Sequence, residues 1–76
     1  MKASELTKGK IYNDLTDTRV PLMFTGKKVK RNDIGCEYFL CYFTTVKTND
    51  NKNWYEKRIK SIILYNDMKN DRISEI

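Results

Sequence analysis

Apolar positions along the chain fall into four segments separated by polar, turn-forming stretches. The first, Leu6 to Tyr12, is followed by Asn13-Asp14 and Thr16-Asp17, whose side chains bond their own backbone in turns, so a short strand is predicted around Lys10 to Asn13. The second, Arg19 to Thr25, places Val20, Leu22 and Phe24 two residues apart, the period of a half-buried strand. Pro21 has no N–H to give to a ladder, which puts the start of this strand at an edge or a bulge. Gly26 then releases the chain into Lys27-Lys28-Val29-Lys30-Arg31, and Asn32-Asp33 with Gly35 has turn chemistry.

The third segment, Glu37 to Val46, is the clearest strand: Tyr38, Phe39, Leu40, Tyr42, Phe43, Thr44, Thr45 and Val46 are almost all strong β-formers. Phe39, Cys41 and Phe43 point to one side and Tyr38, Leu40 and Tyr42 to the other. Such a strand is either covered twice or exposes an aromatic stripe. Thr48-Asn49-Asp50-Asn51 reads as a hairpin loop.

Residues 54–65 admit two readings. As a helix, they carry a capping box in Asn53 and Glu56 and an apolar stripe of Tyr55, Ile59, Ile62 and Ile63. As β structure, Trp54 to Lys57 returns the hairpin and Ile62-Ile63-Leu64-Tyr65 closes the sheet. The β reading is preferred, because a ten-residue central strand needs partners and two earlier strands cannot cover both its faces. The helical alternative is an α+β fold, a three-stranded antiparallel sheet with one C-terminal helix over 54–65. Residues 66–76 alternate in charge and read as a charged C-terminal tail or a short terminal turn, leaving residues 1–65 as one small domain.

The order short strand, long strand, long hairpin and brief turn before a last short strand resembles the SH3-like small barrels. The Leu6-x-x-Gly9-x-x-Tyr12 opening and Trp54 at the start of the fourth strand are similar to features of that architecture. The resemblance implies an all-β, five-stranded barrel. It implies no function, since the acidic loop and paired Pro-Tyr signature of the peptide-binding SH3 groove have no counterpart here.

Size and composition sharpen this picture. Seventy-six residues fit one modest core, and nine aromatics supply much of its area. No stretch approaches the roughly 20 apolar residues of a membrane span, and the first ten residues lack the apolar run of a signal peptide, so a cytoplasmic location is expected. Cys36 and Cys41 would lie on opposite faces of one strand, which predicts two free thiols.

The chain has no His, the commonest general base and metal ligand at neutral pH, and its serines, Ser4, Ser61 and Ser74, have no evident base. Two cysteines make no four-ligand zinc site, and Gly9, Gly26 and Gly35 are too far apart for a phosphate loop. A non-enzymatic protein with no cofactor or metal is therefore expected.

The net charge of +5 is uneven: Lys27, Lys28, Lys30 and Arg31 form one basic cluster, and Lys57, Arg58 and Lys60 follow Trp54-Tyr55 as a second. If both flank Tyr38 and Tyr42, the result is a basic, aromatic surface of the kind that holds RNA or single-stranded DNA. The bland alternative is that these lysines are solvated and guard sheet edges. Lys exceeds Arg, and seven Asn and seven Ile suggest an AT-rich genome of the viral or phage type. A second functional reading is thus a phage-type accessory protein, working in a host cytoplasm and docking on an acidic host protein through Tyr38, Tyr42, Trp54 and Tyr55.

Overall fold

The run of β-formers at the centre of the chain becomes β3 (Cys36–Thr45), and the other strands are arranged around it. In the computed structural model, which describes residues 1–47, 57–65 and 72–75, a 3₁₀ turn (Ala3–Glu5) precedes β1 (Ile11–Asp14) and β2 (Asp17–Asp33). β4 (Ile59–Leu64) and β5 (Ile73–Glu75) follow β3. All pairings are antiparallel, in the order β4-β3-β2-β1-β5. The all-β class and the count of five strands are as expected, but among the described residues no backbone ladder joins β4 to β5, so the sheet curls without closing.

One face of the curl encloses the core. Leu22 and Phe24 of β2 point into it, as their period of two predicts, and so do Cys41 and Phe43 of β3. Tyr12, Ile62, Leu64 and Ile73 complete it from β1, β4 and β5, with Ala3 and Leu6 from the N-terminal segment. Tyr12 and Phe43 stand two strands apart, yet their rings meet edge to face at 6.2 Å, which only a strongly curled sheet permits. The buried Tyr12 phenol oxygen accepts the Thr7 amide at 2.8 Å, so the core carries no unpaired hydroxyl there.

β2 is one strand where a strand and a basic loop were expected. It passes through Gly26 to Asp33 because an irregularity absorbs the glycine: Phe24 pairs with Phe43 and Lys28 with Cys41, so Thr25, Gly26 and Lys27 all stand opposite Tyr42. Gly26 has φ +90°, a conformation L side chains rarely adopt. Beyond it β2 pairs with β3 alone, and the two strands run out as a ribbon whose residues 30–37 are all exposed. A two-residue loop, Ile34-Gly35, ends the ribbon with φ values of 50° and 75°. Primed hairpin turns need that left-handed pair, and they favour Asn or Gly where this chain has a β-branched residue.

Two expectations need correction. Of the return strand placed at Trp54 to Lys57 only Lys57 is described, outside any strand. The closing strand was placed at Ile62 to Tyr65; residues 62–64 belong instead to β4, which pairs with β3 from Thr44↔Ile59 to Phe39↔Leu64. Its alternation sets Ile62 and Leu64 inward, and residues 59–64 are extended, so the helix over 54–65 does not form there. The loop 48–51, the Asn53–Glu56 capping box, Trp54 and Tyr55 lie outside the described residues. Ile73–Glu75, expected in the tail, is the closing strand: it pairs with β1 over Tyr12↔Glu75 to Asp14↔Ile73 and buries Ile73. Its charges are partners of the sheet, since Glu75 meets Lys10 at 2.8 Å and Arg72 meets Asp14 at 3.3 Å.

Candidate nucleic-acid interface

The face of β2, β3 and β4 that turns away from the core is apolar and aromatic. β3 contributes Tyr38, Leu40 and Tyr42, all half-buried. Leu40 is flanked by Val29 of β2 and Ile63 of β4, and Ile59 lies opposite Thr44; Ile59 and Ile63 are 66% and 47% exposed. The stripe expected from the two-faced pattern of β3 is therefore present on this surface. Tyr38 packs against Tyr65 with ring centroids 6.2 Å apart, which extends the aromatic surface past the end of β4.

Strand alternation divides the first basic cluster. Arg31 pairs directly with Tyr38, and Lys27 sets its Nζ 4.8 Å from the Tyr42 ring centroid, a cation–π contact. The irregularity at Gly26 makes the second contact possible, because the extra residues carry Lys27 out over the ring while Thr25 Oγ1 donates to the Tyr42 carbonyl at 2.8 Å. Lys28 and Lys30 pair with Cys41 and Phe39 and so point to the other face. There Lys28 Nζ donates to the Ala3 carbonyl at 3.4 Å and Lys30 forms an exposed ion pair with Glu37 at 3.2 Å.

The second cluster divides too. Lys57 and Arg58 are exposed on the approach to β4, and the Arg58 amide donates to Thr45 Oγ1 at 2.8 Å. Lys60 shares the inward parity of Ile62 and Leu64, and its ammonium reaches Asp14 at 2.6 Å. Of the residues singled out in the sequence, Lys27, Arg31, Tyr38 and Tyr42 are brought together. Lys57 and Arg58 lie at the strand entry, Lys28, Lys30 and Lys60 on the opposite face, and Trp54 and Tyr55 outside the described residues.

Asp14, which sequence reading assigned to a turn, is the one buried charge among the described residues, at 1% exposure. Burial alone would raise its carboxyl, but hydrogen bonds from Lys60, from the Thr16 side chain and amide, and from Arg72 outweigh this and hold it well below the ordinary carboxylate range. The cluster joins β1 to β4 where no ladder does, a structural use of charge. The missed clue was parity: reading 60, 62 and 64 as one face puts a lysine beside two core residues, and such a lysine needs an acid. Cys41 is buried and its thiol is pushed up to about 11 by desolvation, against a smaller opposing effect of Lys28; Cys36 is exposed.

Comparison with known protein families, with characterised proteins and with solved structures finds no match to this chain.

Proposed function

We propose that the outer face of β2, β3 and β4 binds single-stranded nucleic acid, RNA or DNA. The observation that carries this reading is the pairing of each strand-centre tyrosine with a cation on the neighbouring strand: Arg31 opposite Tyr38, and Lys27 over Tyr42. Four residues of extended chain separate the two rings by about 13 Å, room for bases to stack on both with the backbone running along β2. Leu40, Val29 and Ile63 form an apolar floor between them, and Lys57 and Arg58 add positive charge at the far side. Lys27 leaves the Tyr42 ring for a phosphate when a base takes its place. The net charge of +5 supports approach of a polyanion.

The test is fluorescence anisotropy with short oligo-U and oligo-dT across a salt series. Tyr38→Ala and Tyr42→Ala each weaken binding about 5- to 100-fold, as loss of a stacked base requires, and Lys27→Ala lowers the salt slope by about 1. Absence of binding at micromolar protein and low salt, or affinity indifferent to salt, rejects the reading.

The exposure of Ile59 and Ile63 on the same face favours one alternative, docking of an acidic protein partner with the tyrosines as anchors. A partner captured from nuclease-treated lysate and lost on Ile63→Asp separates it from the first reading.

A further inference from the structure

The end of the β2–β3 ribbon and a groove at its base are complementary. At the tip Ile34 is 96% exposed and has φ 50°, so the chain holds a bare β-branched side chain in a conformation that asparagine or glycine would adopt without strain. Beside it stands Asp33, with no ion-pair partner among the described residues. At the opposite end of β3 an open groove of about 290 Å³ is lined by Met23, Thr44, Thr45, Val46, Lys47 and Lys57. Its walls are almost wholly apolar, and the buried Thr44 Oγ1 in its lining has no hydrogen-bond partner among the described residues. The two lysines at its rim form no ion pair among the described residues. An apolar plug flanked by an acid thus meets an apolar socket flanked by two bases.

We propose that the ribbon tip of one copy of this chain seats in the groove of another, with Ile34 in the socket and Asp33 between Lys47 and Lys57. The ten residues of β3 separate tip from groove by about 33 Å, so one copy cannot fill its own socket. The contact is head to tail, and repeating it builds a row or a ring. It shares Lys57 with the proposed nucleic-acid surface but uses neither Tyr38 nor Tyr42, and Ile34→Asn tests it without touching that surface. Its area is far below that of a standard interface, which makes it a weak contact that fills only at high local concentration.

The experiment is sedimentation of the full chain without nucleic acid, under reducing conditions because Cys36 is exposed near the tip, up to about 1 mM protein. The wild-type mass is expected to rise above the 9.1 kDa of the single chain. Ile34→Asn, which fits the turn, and the double variant Lys47→Glu with Lys57→Glu should each stay monomeric and folded. Mixing these two should restore dimers, because the intact tip of one enters the intact groove of the other. A wild-type protein that remains at monomer mass over the whole range overturns the proposal, as does an Ile34→Asn variant that associates as the wild type does, or a mixture that stays monomeric.

Discussion

Lys27 and Tyr42 face each other across β2 and β3 at 4.8 Å because three residues of one strand oppose a single residue of the other. The geometry depends on Gly26, whose φ of +90° a side chain resists and whose absent Cβ would lie 2.9 Å from Lys8 Cδ. Lys8 is flexible, so the backbone dominates the penalty. Gly26→Ala should cost about 1–2 kcal/mol in urea unfolding. It should also move the Lys27 ammonium off the ring, read as a change in the Tyr42 ring proton shifts.

Asp14 governs the acid limb of stability. Its carboxyl titrates lower in the folded chain than in the unfolded one, where about 3.9 is normal, so the unfolded state binds the proton first. The contribution is complete above about pH 5 and drains away as pH falls below about 4 toward the depressed folded value. Asp14→Asn should lower stability at pH 7 by about 2–4 kcal/mol and flatten the acid limb, followed by circular dichroism during denaturant titration at several pH values. An acid limb unchanged in the variant would place the titrating group elsewhere.

The two thiols should differ sharply in alkylation. Cys36 is exposed, whereas Cys41 is buried and its thiol is raised to about 11, leaving little thiolate at pH 8. Native protein treated briefly with iodoacetamide should take one label by intact mass, and denatured protein two. Fast double labelling of native protein would mean that the core opens readily around Phe43.

Thr44, buried on the face of β3 turned away from the core, has no hydrogen-bond partner for its Oγ1 among the described residues. Thr44→Val keeps the shape and the β-branch and removes the unpaired group, so it should stabilise the chain by about 1 kcal/mol, seen as a higher midpoint in urea with unchanged slope.

What could be read in the sequence follows from what is local. The unbroken β-formers of Tyr38 to Val46 and the alternation of Leu22 and Phe24 need no knowledge of neighbours, and both elements formed as their patterns require. β5 was hidden because Ile73 is its one apolar residue and its charged neighbours look solvated until Asp14 and Lys10 are seen opposite them. The basic run 27–31 read as one patch, since side-by-side charges look alike before a strand sends alternate residues to opposite faces. Lys60 was misplaced for the same reason. Of the candidate surface, the tyrosine stripe was legible. The matching of cations to rings was not, because it depends on strand register.

The carboxylate of residue 14 is held by residues 60 and 72, and the strand that bears it gains its outer neighbour only at residue 73. A nascent chain therefore cannot settle its first strand until almost all of this sequence has emerged from the ribosome. During that interval the first strand has β2 alone beside it, with its other edge bare and its carboxylate without either cation, and the growing polypeptide must avoid misfolding at that open edge.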